Sequence, residues 1–107
     1  MIIDDASLFF NLSPDILCIF RFDGTFRTLN PAFTGILGWT VDEAMQKPWL
    51  EFIHPDDIEK TIQAAEELKH GISQKSFRIR SLHKDGSYRF ISWDSVPLEK
   101  EGLIISV

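Results

Sequence analysis

Three side chains that could bind a metal ion lie close together in the segment HPDD. His54 offers an imidazole nitrogen, and Asp56 and Asp57 offer carboxylate oxygens. Adjacent residues of a helix point about 100° apart, so these two carboxylates would not converge easily on one ion. Carboxylates at the start of a helix also interact favourably with the positive end of its dipole. The segment therefore predicts a helix start, with Pro55 in the first turn, and no metal site.

Other arrangements of reactive residues do not predict catalysis. The sequence contains no glycine-rich phosphate loop, no G-x-S-x-G motif and no H-E-x-x-H motif. Its serines fall mostly in predicted strands and turns, where their hydroxyls would bond locally. Arg78, Arg80 and Arg89 lie on predicted paired strands near Asp94, and we expect cross-strand ion pairs among them. We therefore expect no catalytic residue and no enzyme activity.

The composition limits partners and location. The formal charge of −5 and the pI of about 5.0 argue against nucleic acid as the main partner. Cys18 is the only cysteine, which excludes an internal disulfide or a C-x-x-C site and fits a reducing compartment. No apolar run approaches the ~20 residues of a membrane span, and Asp4 and Asp5 do not suit a signal peptide. We expect a cytoplasmic protein, or the cytoplasmic part of a membrane-anchored one.

Residues 1–13 predict a short amphipathic helix that flanks the main domain, which we assign to residues 14–107. The apolar side chains of this helix must be covered either by the domain or by another chain. We expect the second arrangement in a homodimer, with dimer contacts from Leu8, Phe9, Phe10 and Leu12.

A β-hairpin and a helix start follow this flanking segment. Alternating apolar and polar residues predict two strands joined by a two-residue turn at Asp23-Gly24. Asn30 is a suitable helix N-cap, because its side-chain oxygen can accept a hydrogen bond from a free amide. Pro31 suits the first helical position, and Gly38 suits the helix end.

Two further helices are predicted before residue 72. Thr40 and Glu43 form the T-x-x-E pattern of a capping box, which begins a short helix. The longest helix starts at Pro55 and ends at Gly71. Its predicted inward stripe consists of Ile58, Ile62, Ala65 and Leu68 or Lys69.

The last third of the chain predicts three strands. Two long alternating segments meet at Asp85-Gly86, and a third strand follows Gly102. We therefore predict the α+β class, with a five-stranded antiparallel sheet and helices packed on one face. The first two strands must lie beside the last three to complete that sheet, and a ligand would bind between sheet and helices.

In this order, the segments resemble a PAS domain of the bacterial sensory-box type, as found in sensor histidine kinases and diguanylate cyclases. The resemblance implies a sensory or dimerisation module in which the Asn-Pro turn carries the chain across the sheet to form a cavity wall. The sequence stops at Val107 without the connecting helix common in the family, so we expect a fragment of a larger signalling protein. The resemblance covers essentially the whole chain and rests on FRFDGTFRTLNPAF, LGWTVDEAM, FIHPDDIEK, RIRSLHKDGSYRFISW and EGLIISV.

The resemblance also indicates which cofactors to consider, because some members of the family bind flavin or haem. Flavin-binding light sensors of the family use a reactive cysteine after the second short helix, where this chain reads KPWLEFIHP and has none. Haem-binding members take an axial histidine from the long helix, but His70 lies at its C-terminal end. We therefore expect neither haem nor photoactive flavin, and the sequence does not name the ligand. The residues expected to line a ligand pocket are Leu37, Trp49, Phe52, Ile62, Phe77, Ile79 and Trp93.

Two main hypotheses follow for function. The favoured one is a non-catalytic sensory PAS domain of a sensor histidine kinase in a two-component system, which senses a small ligand or mediates dimerisation. The alternatives are a ligand-free dimerisation spacer with a packed core, or a PAS module of a diguanylate cyclase or phosphodiesterase. Cavity volume distinguishes a ligand sensor from a spacer. A metal-dependent enzyme centred on His54 is disfavoured by the helix geometry.

Overall fold

The computed structural model describes residues 4–107. Its centre is one antiparallel sheet of five strands, in the spatial order β2-β1-β5-β4-β3. The first hairpin therefore lies beside the last three strands, and the predicted α+β class and sheet arrangement are confirmed. The strands are β1 (Cys18–Arg21), β2 (Phe26–Leu29), β3 (Gln74–Leu82), β4 (Tyr88–Leu98) and β5 (Leu103–Ser106).

The helices lie mainly between the second and third strands. Gly38 ends the second helix in the left-handed conformation, and the capping box of Thr40 and Glu43 forms as predicted. No helix in the described part of the chain has both the length and the apolar character needed to cross a lipid bilayer. The helices are α1 (Asp5–Leu12), α2 (Ala32–Leu37), α3 (Val41–Met45) and α4 (Ile58–Lys69), with 3-10 turns at Trp49–Phe52, Pro55–Asp57 and Glu99–Glu101.

The hairpin turns are longer than the sequence analysis predicted. Residues 22–25 form the first loop, and Gly24 alone has a positive φ there, of +92°. The Asp23 carboxylate accepts hydrogen bonds from the amide and the hydroxyl of the residue two positions on, at 2.9 and 2.6 Å. This local turn keeps the aspartate at negative φ, whereas a two-residue type I′ turn needs positive φ at both central positions. The Asp85-Gly86 hairpin has the same arrangement.

The predicted N-cap role of Asn30 is wrong. Its side chain is fully buried and bonds three backbone groups, one in α1 and two in the segment before β1. Its Oδ1 accepts a hydrogen bond from the Leu17 amide at 2.8 Å, and its Nδ2 donates to the carbonyls of Asp15 and Phe10, at 2.9 and 3.1 Å. Pro31 takes the capping position without any side-chain bond. Asn30 therefore fastens the end of α1 to the start of β1.

The inward face of α4 is rotated by about one residue from the predicted stripe. Thr61, Ala64 and Leu68 are buried, together with Asp57 just before the helix. Ile62 is 45% exposed and faces away from the sheet, so its predicted inward position is wrong. The two polar residues can be buried because they are satisfied: Thr61 donates to the carbonyl of Asp57, and the Asp57 carboxylate is paired with an arginine.

Candidate functional site

A largely apolar cavity of about 90 Å³ lies between α4 and the sheet. Ile62 does not line it, because that side chain points away from the sheet. The wall of the cavity includes the other six residues expected from the sequence, namely Leu37, Trp49, Phe52, Phe77, Ile79 and Trp93. Occupancy of the cavity by a ligand stays a prediction.

Small side chains on α4 and interlocking rings on the other walls create this space. α4 contributes Ala64 and Ala65, which leave a gap that larger residues would fill. Facing them, Phe26, Phe33 and Phe52 pack edge to face, with ring centroids 5.6 to 6.3 Å apart. Because each ring is supported by its neighbours, the wall opposite α4 is well defined.

The sequence analysis missed the polar residues of the cavity. Ser81, Ser95 and Ser106 are each buried in the sheet and line the cavity. Each serine lies two positions after an apolar residue of the same strand that also lines the cavity. Ser81, for example, follows Ile79. Since alternate residues of a strand share one face, this parity could have identified them.

Most of these polar groups are satisfied within the protein. The hydroxyl oxygens of Ser95 and Ser106 are 2.7 Å apart and share a hydrogen bond. Thr61 donates to a carbonyl one turn earlier at 2.6 Å, and the Gln74 amide donates to a glutamate of α4. Among residues 4–107, the Ser81 hydroxyl makes no hydrogen bond with another protein group.

A partly buried ion pair joins the start of α4 to β3. Asp57 Oδ2 accepts hydrogen bonds from the amide and the Nε of Arg80, at 2.8 and 3.0 Å, and Oδ1 accepts from Nη2 at 2.9 Å. The guanidinium and the backbone amide of Arg80 hold the pKa of the Asp57 carboxyl well below its usual range. The pair therefore fixes the cavity wall to the edge strand of the sheet.

The expected ion pairs between the strand arginines and Asp94 are wrong. Arg80 turns to Asp57, as described above. Arg89 lies 3.5 Å from the Asp85 carboxylate in the neighbouring loop, and the Arg78 guanidinium lies 4.1 Å from the centre of the Phe90 ring. Arg78 and Arg89 thus contact residues of the hairpin formed by β3 and β4, whereas Arg80 pairs with Asp57, and none of the three lines the cavity.

The helix start predicted at HPDD is confirmed. His54 Nδ1 accepts a hydrogen bond from the Asp56 amide at 3.0 Å and so caps the 3-10 turn. Within residues 4–107, no group of three histidine, cysteine or acidic side chains could hold a metal ion. Cys18 is buried away from the cavity, and burial raises the pKa of its thiol. His70 lies exposed at the end of α4.

The apolar face of α1 is largely uncovered. Leu8, Phe9 and Leu12 are 41%, 76% and 77% exposed. Phe10 is half-buried, and its carbonyl accepts the hydrogen bond from Asn30. Three of the four expected dimer-contact side chains are thus available to a partner, and the dimer contact itself stays a prediction.

Comparison with known families establishes which fold this sheet and cavity form. The family described as the PAS fold matches residues 26–107, which is most of the chain. The chain belongs to the PAS fold family. The resemblance recognised in the sequence is thereby confirmed, and the domain falls in a class of generally sensory, non-catalytic modules.

Solved PAS structures are similar over most of this chain, although no curated protein matches it. A domain of a sensory box sensor histidine kinase/response regulator from Geobacter sulfurreducens is 18% identical with a TM-score of 0.82, covering 94% of this chain and 87% of that one. Cycle PAS-B from Drosophila melanogaster with bound ethylene glycol is 18% identical with a TM-score of 0.78, covering 87% and 96%.

The N-terminal domain of a diguanylate cyclase with PAS/PAC sensor from Marinobacter aquaeolei is also similar. It is 20% identical with a TM-score of 0.72, and the match covers 85% of this chain and 89% of that one. At these identities the similarity establishes the PAS fold. PAS domains with this fold thus occur beside more than one kind of signalling output.

Proposed function

We propose that this PAS domain is a sensor that responds to a small molecule bound between α4 and the sheet. The observation that carries the proposal is the apolar cavity of about 90 Å³. One water needs about 10–15 Å³ of such space, so the cavity would hold a molecule the size of several waters. A spacer with a fully packed core would not retain this volume, because protein interiors normally leave few voids larger than one water.

The sheet offers a path from the cavity to the end of the domain. Ile104 and Ser106 of β5 line the cavity, and Ser106 directly precedes Val107. A ligand that shifts β5 would therefore move Val107 as well, and we propose that this movement carries the signal. We propose a sensor histidine kinase as the parent protein, in the cytoplasm, with a diguanylate cyclase or phosphodiesterase as the alternative.

Filling the cavity tests this proposal. Replacing Ala64 by Leu should raise the free energy of unfolding by about 1 kcal/mol, because the added side chain occupies the void. The same variant should lose the molecule that accompanies the wild-type protein from cells. Native mass spectrometry with visible absorbance detects the bound molecule, and thermal unfolding reports the stability. Gln63→Leu is the matched control, because it adds the same side chain to the exposed face of α4.

The possible results separate the two views of the cavity. A molecule retained equally by wild type, Ala64→Leu and Gln63→Leu would bind elsewhere on the protein. Wild-type protein at its sequence mass, with no stabilisation by any compound of a small-molecule library, would contradict the sensor and favour the spacer. A molecule lost from Ala64→Leu alone would support the sensor.

The exposed face of α1 supports a second role, dimerisation with another copy of the chain. Phe9 and Leu12 leave an unusually large apolar area in contact with water for a helix of eight residues. Replacing both by Ser should convert a dimer into a monomer in analytical ultracentrifugation. Asn11→Ser, on the polar side of the same helix, should leave the mass unchanged. An unchanged dimer mass in the double variant would show that α1 is not the contact.

A further inference from the structure

The lining of the cavity restricts the charge of its ligand. Within residues 4–107, none of the side chains that line it is acidic or basic. The Asp57 carboxylate, just before α4, is fully engaged by Arg80, and the Glu67 carboxylate accepts a hydrogen bond from the lining residue Gln74. A charged ligand would lose its hydration without gaining an opposite charge, which is strongly unfavourable. The ligand should therefore be uncharged.

The aromatic wall and the volume of the cavity restrict the carbon skeleton of the ligand. Aromatic rings favour planar partners, which they contact through offset or edge-to-face packing. The volume of about 90 Å³ is smaller than the roughly 150 Å³ of an apolar cavity that takes benzene, so it admits one ring at most and excludes a fused system. The aromatic lining residues are Phe20, Phe26, Phe33, Trp49, Phe52, Phe77 and Trp93.

One hydroxyl in the wall lacks a partner. Ser81 is only 2% exposed and lines the cavity from β3. Among residues 4–107, no fully enclosed side-chain oxygen is left without a hydrogen bond, so the Ser81 oxygen borders open space. Ser95 and Ser106 share one hydrogen bond with each other, and Thr61 donates to a carbonyl. Ser81 is therefore the lining hydroxyl whose hydrogen bond a bound molecule would complete.

We propose that the cavity binds an uncharged single-ring molecule with one hydroxyl or carbonyl group, and that this group hydrogen-bonds to Ser81. A serine hydroxyl both donates and accepts, so either polar group would be satisfied. The ring would lie among the aromatic side chains of the wall. The inference rests on the proposed sensory function, because it names the class of molecule for the same cavity.

Three probes of similar size test this proposal by isothermal titration calorimetry at neutral pH: phenol, toluene and benzoate. Phenol should bind to the wild type, and benzoate should not. Ser81→Ala should weaken phenol binding by about tenfold and leave toluene binding unchanged, because the variant removes one hydrogen bond. Ser81→Cys retains a weak donor and should give an intermediate affinity. Ser92→Ala, on the exposed side of the sheet, should change none of these values.

The outcomes distinguish failure of the ligand class from failure of the sensor. If benzoate binds to the wild type and Ala64→Leu abolishes that binding, the proposal that the ligand is uncharged is wrong. The proposed sensory function then still stands. Phenol affinity that is equal in wild type, Ser81→Ala and Ser81→Cys would overturn the role of Ser81. If none of the three probes binds, the proposed ligand class fails. The sensory function fails as well only if the purified protein carries no molecule and no library compound stabilises it. The comparison of phenol with benzoate uses the wild type alone, so it holds even if a variant misfolds.

Discussion

Replacing Asn30 by Ala is expected to lower the free energy of unfolding by about 3 kcal/mol. The substitution removes three hydrogen bonds and leaves the half-buried Leu17 amide without a partner, and an unsatisfied buried group costs about 1–3 kcal/mol. It also opens a cavity at a site that is fully closed to solvent. Urea unfolding followed by circular dichroism measures the change.

Two companion variants make this result specific. Asn11→Ala removes the same side chain from an exposed position of α1 and should change stability by less than about 0.5 kcal/mol. Asn30→Asp keeps the acceptor for Leu17 but places a carboxylate oxygen against two carbonyls, so it should also destabilise the fold. Equal stability of Asn30→Ala and Asn11→Ala would show that the hydrogen bonds of Asn30 do not contribute.

Replacing Asp57 by Asn should lower the free energy of unfolding by about 3 kcal/mol at neutral pH. Breaking a buried ion pair from one side costs about 3–5 kcal/mol, and the lower end applies because the Arg80 side chain is 31% exposed. The variant leaves the guanidinium without its carboxylate at the junction of α4 and β3. Asp56→Asn is the control, because that neighbouring carboxylate is exposed and unpaired with Arg80.

The same ion pair predicts a direction for the pH dependence of stability. The pKa of Asp57 is lower in the folded protein than its ordinary value of 3.8. The contribution of the pair is therefore complete above that ordinary value and is lost as pH falls through the folded pKa. Thermal unfolding between neutral and strongly acidic pH should show a smaller loss of stability in Asp57→Asn than in wild type. Parallel pH curves for the two proteins would contradict this assignment.

The order of helices and strands could be predicted from the sequence because local signals mark where most of these elements begin and end. Glycines end helices and loops, the Thr40 capping box starts α3, and alternation marks the long strands. The role of a polar residue could not be predicted where its hydrogen-bond partners lie far away along the chain. Asn30 has the ideal type for an N-cap, but its contacts lie 13 to 20 residues away along the chain, which no local pattern reveals.

The error on α4 has the same origin. The hydrophobic pattern placed Ile62 on the inward face of the helix and did not reveal that Asp57 and Thr61 are buried. Their burial depends on Arg80 and on a local carbonyl, and it rotates the helix so that Ala64 faces the sheet. The cavity is thus a consequence of small and polar residues on α4, whereas the aromatic residues that the sequence identified form its other walls.

The sheet order has a consequence for synthesis of the protein on the ribosome. β5 lies between β1 and β4, so the four residues of Leu103–Ser106 join the two halves of the sheet. Until this strand leaves the ribosome, the early hairpin and the late hairpin each present an unpaired edge. The pairing of β1 with β5 joins residues from opposite ends of the chain, such as Cys18 and Ser106. Such non-local contacts form slowly. The nascent domain should therefore remain open to chaperones until translation has passed its last strand.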